Sequence, residues 1–310
     1  ANDLRRASGR ENVSGGSELR YERGFIAHVA VDSVEKLAEY RVLERARTVD
    51  SLRVQKLAAR SIPLLAAQPA LARLRAFTTT PEPGALRALV EVEAFPNLER
   101  LEIDTRDPVV ARELGTLLAG AHPFCGVREL RLCGQGFDGA ATRATLEGRL
   151  DRLETLYCGR LASLDEPAMR DLSRCEALGR LQRVVIWGAP SDELAAILMP
   201  RLLQVREWTT DLACDSVRLL ETLPGLRALT LRFHGQSETL VPALAASPHL
   251  ARLEALSLTH IGAPAVAALA DSPFLDGIGV LHLAQLFGDN QAALTRLSER
   301  LGDRLAITTW

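Results

Sequence analysis

Lysine is almost missing from this chain. Only Lys36 and Lys56 carry it among 310 residues, whereas Lys and Arg together number 37. The cationic side chain is therefore nearly always arginine, the composition expected of a high-GC bacterial coding bias. An excess of positive charge is missing too, because the formal net charge is −2 at pH 7. Proteins that grip nucleic acid through phosphates carry a basic stripe and a positive balance, so no nucleic-acid partner is expected. Cysteine pairs are absent. Cys125, Cys133, Cys158, Cys175 and Cys214 are odd in number and show no CxxC spacing, which argues against a disulfide framework or zinc site. Reduced thiols in the cytoplasm are the simplest reading. No apolar run approaches the ~20 residues of a membrane-spanning helix. The N-terminus lacks the charged-then-apolar pattern of a secretory signal.

Chemistry-bearing motifs are scarce as well. None of the six histidines stands in an HExxH or HxH arrangement, and Gly134-Gln135-Gly136 is a lone glycine turn rather than a GxGxxG or Walker motif. Cys214-Asp215 falls between repeats and reads as structural. Neither a catalytic group, a metal nor a cofactor is expected from these patterns.

What the chain does have is a tandem repeat. Ala243–Leu250 reads ALAASPHL and Ala268–Leu275 reads ALADSPFL, and each precedes a short β-like segment ending at Leu258 or Leu283. The apolar pattern L-x-x-L-x-L can be traced upstream with conservative substitutions. It fits Ile26/Val29/Val31, Val49/Leu52/Val54, Leu74/Phe77/Thr79, Leu98/Leu101/Ile103, Val127/Leu130/Leu132 and Leu153/Leu156/Cys158. It continues through Leu181/Val184/Ile186, Val205/Trp208/Thr210, Leu226/Leu229/Leu231, Leu253/Leu256/Leu258 and Ile278/Leu281/Leu283, and ends in a degenerate Leu305/Ile307. One such match means little in a leucine-rich chain. About a dozen in register, at a mean period of about 25 residues, are specific.

Each unit predicts one strand followed by a helical segment, as in Ala265-Val266 with Leu269-Ala270. Pro69, Pro96, Pro224, Pro248 and Pro273 mark the return towards the next strand. One unit cannot bury its own apolar face, so stacking neighbours must create the core. Trp208 falls in a buried phase. Trp310 is expected to cap the last repeat.

The repeat resembles the ribonuclease-inhibitor-like class of leucine-rich-repeat proteins over roughly residues 22–310. That resemblance implies an α/β solenoid, a horseshoe with a curved parallel β-sheet on the concave face and helices on the convex face. It also implies a concave surface that holds another protein. The sequence departs from the family where an Asn or Cys normally ties the loop after the strand, because Arg106, Gln135, Ala189 and His234 stand there. The expected organisation is a flexible Gly/Ser-rich lead-in over residues 1–20 and a repeat domain over residues 21–310.

Strand periodicity sorts the remaining residues by face. Arg100, Arg131, Tyr157, Arg183, Trp187 and Arg232 are large side chains predicted to point away from the core. Glu102, Asp104, Glu207 and Asp211 add carboxylates on the same face. Arginine, tryptophan and tyrosine are enriched at interface hot spots, and mixed charge suits a protein partner. Two alternatives stay open. Glu102 and Arg131 can pair with each other as cross-strand neighbours, and Trp187 can fold over the strand edge into a loop. The functional expectation is a non-enzymatic protein-binding module. A regulatory, targeting or protease-substrate part of a larger bacterial effector or signalling system is the second reading.

Overall fold

The computed structural model describes residues 10–13, 17–22, 25–39, 49–92, 95–120, 123–137, 139–159, 166–187, 196–211, 216–233, 235 and 237–308. Two compact units divide the chain: residues 1–158 with 175–177, and residues 159–174 with 178–310.

In the first unit, strands β3 (Phe25–Ser33), β4 (Ser51–Leu57), β5 (Ala76–Pro81), β6 (Arg100–Asp104), β7 (Glu129–Cys133) and β8 (Thr155–Cys158) run parallel in chain order. The register follows the repeat: Val29 lies opposite Leu52, then Phe77, Leu101, Leu130 and Leu156. These residues are buried, as are Val54, Thr79, Ile103, Leu132 and Cys158 two positions on. The residues between them are exposed or half-buried. A parallel sheet with only alternate residues buried is covered on one side. The covering elements are α1 (Val34–Glu39), α2 (Ile62–Ala66), α3 (Ala85–Glu91), α4 (Pro108–Ala119) and α5 (Gly139–Leu146).

The second unit repeats the plan. Strands β9 (Arg183–Ile186), β10 (Glu207–Asp211), β11 (Ala228–Arg232), β12 (Ala255–Gly262), β13 (Val280–Phe287) and β14 (Leu305–Thr308) are parallel, with Val184, Trp208, Leu229, Leu256, Leu281 and Leu305 in one row. Helices α6 (Glu166–Leu172), α7 (Ser216–Thr222), α8 (Ser237–Ala246), α9 (Ala263–Asp271) and α10 (Gln291–Leu301) belong to it. The described residues thus form an α/β leucine-rich-repeat solenoid, in which strand and helix alternate and neighbours supply each other's core. Trp208 takes a leucine position and is 4% exposed.

Three details refine the sequence reading. Pro69 and Pro248 do more than end a helix: each opens a short 3-10 turn, Pro69–Arg73 and Pro248–Arg252, that leads into the next strand. Proline suits that first position, where its missing N–H costs nothing. Strands β1 (Arg10–Val13) and β2 (Ser17–Glu22) occupy part of the segment read as a flexible lead-in to residue 20, and β1–β2 and β2–β3 pair antiparallel. They occupy the edge that β3 would otherwise leave open. Finally, backbone groups close the loop that lacks the family's asparagine. The Thr105 amide donates to the Cys133 carbonyl (3.0 Å), and the Gly136 amide donates to the Thr105 carbonyl (2.9 Å). This brings the chain so close that a Cβ on Gly134, at φ +87°, would lie 2.2 Å from the Thr105 oxygen. The glycine turn singled out in the sequence is therefore structural.

Trp310, Cys214, Asp215, Ala189 and His234 lie outside the described residues. Among those described, no helix is long and apolar enough to cross a membrane.

Candidate functional site

Period-two alternation leaves one side of the sheet open within each unit, although Val185 on β9 is buried, and the sequence-selected residues fall in two groups, one per unit. In the first unit the register sets Arg100 opposite Glu129 and Glu102 opposite Arg131, with Arg131 opposite Tyr157. Glu129 is the centre. Arg100 Nε donates to its Oε2 at 2.7 Å, and Arg131 Nε donates to its Oε1 at 2.5 Å. Arg131 also lies 3.6 Å from Glu102 and stacks its guanidinium 5.4 Å from the Tyr157 ring centroid. Burial pushes the Glu129 carboxyl up, but the hydrogen bonds and charges of Arg100 and Arg131 outweigh it and hold the group below the ordinary carboxylate range. Burial also pulls Arg131 down, and the Glu129 hydrogen bond and charge more than reverse that. Asp104 is exposed at the end of β6, with no ion pair among the described residues.

Cys133 adjoins this network. Burial, reinforced by the charges of Glu102 and Asp104, pushes its thiol up to about 11, so it remains protonated at neutral pH. A protonated thiol is a poor nucleophile and metal ligand.

In the second unit, Arg183 Nε lies 3.3 Å from Glu207 Oε2 across neighbouring strands. Arg232, on β11, reaches over β10 to place its guanidinium 5.4 Å from the Trp187 ring centroid. Trp187 is half-buried, and this stacking sets its ring beside a strand-face arginine. Asp211 is the backbone register partner of Arg232, and its side chain lies outside the description. Farther along, His282 Nδ1 meets Ser257 Oγ and His282 Nε2 meets Thr308 Oγ1, both at 2.9 Å. A hydroxyl stands where a serine–histidine triad would place its orienting carboxylate, so this is a cross-strand hydrogen-bond ladder. Among the described residues no group of three or more His, Cys, Asp or Glu could hold a metal ion.

Strand phase puts Glu129 on the same face, but it is not among the residues selected there, although it joins two of the chosen arginines. Its signal was present: it shares the strand phase of Arg100 one repeat on. Only the register shows that its two oxygens are divided between Arg100 and Arg131.

Fold and face together define the class, a leucine-rich-repeat solenoid with an open strand face. No family model matches the sequence, and no curated protein matches it. Among solved structures, the chain is similar to that of the TLR13–ssRNA13 complex, at 13% identity and a TM-score of 0.42, over 92% of this chain and 46% of that one. It is also similar to human 5T4 (Wnt-activated inhibitory factor 1, trophoblast glycoprotein), at 15% identity and a TM-score of 0.30, over 83% of this chain and 78% of that one. The chain thus spans less than half of the TLR13 chain it matches. Likenesses this distant do not bear on function.

Proposed function

We propose that this chain is a non-enzymatic protein-binding module that holds a partner protein on its open strand face. The reading rests on one observation: each unit presents an arginine stacked on a half-buried aromatic, Arg131 on Tyr157 and Arg232 on Trp187, among side chains that project from an uncovered sheet. Such pairs offer rigid apolar area together with directional donors, the chemistry of interface hot spots. The surrounding Arg–Glu pairs hold their geometry before any partner arrives, which lowers the ordering cost of association. A cytoplasmic site of action accords with cysteines spaced for reduced thiols.

The test is affinity capture of a partner from the native host, followed by binding of that partner to a Trp187→Ala, Arg131→Ala double variant. Hot-spot truncations typically cost ~2 kcal/mol or more each. The double variant should therefore lose the partner while its circular dichroism stays unchanged. Retention of the partner at wild-type affinity would count against the strand face.

A further inference from the structure

The flank of the first unit, just before the strands begin, carries a second feature. Three residues upstream of Ala76, Arg100, Glu129 and Thr155, which lie in one register row, stand Arg73, Asn97, Gly126 and Arg152. The inner two of these are short, and glycine has no side chain at all. The outer two are long cations. The result is a notch of about 410 Å³ lined by Arg73, Arg152, Asn97 and Gly126, with Arg75, Glu99 and Asp50 also on its walls.

The charges around the notch do not cancel. Arg75 lies 3.8 Å from Glu99. Arg73 and Arg152 are exposed, and neither has an ion pair among the described residues. Among the described residues on the walls, Asp50 is the carboxylate left to set against these two guanidinium groups. Asn97 is fixed from below, because its Nδ2 donates to the Ala72 carbonyl at 2.9 Å. Three strand spacings of ~4.8 Å separate the rows of Arg73 and Arg152, a gap that two arginine side chains can close from opposite ends. Planar guanidinium groups bind oxyanions through paired N–H donors, which lysine cannot do.

We propose that this notch binds a small, doubly charged oxyanion, with Arg73 and Arg152 clamping it from either side and Gly126 leaving the room. A phosphate group is the preferred occupant, because its tetrahedral oxygens can serve both guanidinium groups at once. The site adjoins the strand face, sharing Asp50, Arg75 and Glu99 with the surface around Arg100 and Glu129, but does not depend on the partner reading. Two arginines with no ion pair among the described residues, next to charges that pair among themselves, suit one compact anion better than the repeated phosphates of a nucleic acid.

The test is titration calorimetry of the full chain with inorganic phosphate, and in parallel with succinate, at constant ionic strength. Phosphate should bind more tightly than succinate. An Arg73→Gln, Arg152→Gln variant should weaken it about tenfold or more. Gly126→Leu, which fills the notch and keeps both charges, should weaken it comparably. Tighter binding of succinate would overturn the choice of phosphate. Absence of phosphate binding, or undiminished binding by the double Gln variant with its fold intact by circular dichroism, would overturn the site itself.

Discussion

Glu129 shows how much one side chain on an open sheet can organise. Its two oxygens are spent on two arginines from two strands, so Arg100 and Arg131 are positioned before anything binds. The carboxyl is held below its ordinary range, so the folded chain takes up this proton less readily than the unfolded chain. Stability from the group is therefore present above the unfolded value and is lost as pH falls through the folded one. Glu129→Gln should flatten the acid limb of a stability curve measured by urea unfolding below about pH 5, where carboxylates titrate. An acid limb unchanged by the substitution would mean that the cluster contributes nothing to folding. The arginines themselves were legible in the sequence, as was the face they share. Their partner was not, because period-two alternation assigns a side and says nothing about which neighbour shares a hydrogen bond.

At the scale of elements, repeats are joined by more than apolar stacking. Glu113, on α4, accepts from the Gly84 amide at 2.8 Å and from the Arg87 amide at 2.9 Å. It thereby satisfies open donors at the start of α3 one repeat earlier, where Gly84 adopts φ +82° and no side chain of its own caps the helix. Glu113→Ala should cost about 1 kcal/mol in chemical denaturation, the usual worth of a lost cap. Glu113→Gln should recover part of that, since an amide oxygen can still accept one bond. The strands themselves were readable, because the L-x-x-L-x-L matches became strands whose apolar residues line a buried row in each unit, the degenerate Leu305/Ile307 excepted. The segments between them were less so. Helical spacing predicts one helix per unit, yet a five-residue helix and two 3-10 turns share the interval between β4 and β5. Short stretches rich in alanine and leucine fit either geometry, and packing against the neighbouring repeat decides. The antiparallel strands β1 and β2 were missed for a related reason: a Gly/Ser-rich stretch reads as linker until the edge strand it pairs with is known.

On the scale of the whole molecule, stability in a solenoid is a sum of local units and nearest-neighbour interfaces. Strand β14 pairs with β13 alone among the described strands, and Ile307 on it is 44% exposed. Strand β12 is paired on both sides, and its Leu256 and Leu258 are buried. Native-state hydrogen exchange should therefore show faster exchange for amides of Leu305–Thr308 than for those of Ala255–Thr259. Equal protection of the two would mean that the second unit opens only as one cooperative block.

A register set by the strands alone also governs how such a chain can change over time. The stretch from Leu101 to Leu130 is longer than that from Trp208 to Leu229, and it accommodates the twelve-residue helix α4. Both stretches nonetheless deliver their next strand into the apolar row of their own unit. Insertions and deletions can therefore accumulate on the helical side without shifting a single strand. Recognition and length are free to drift independently, and a reporter peptide spliced into the loop after α4 should leave the strand face in place.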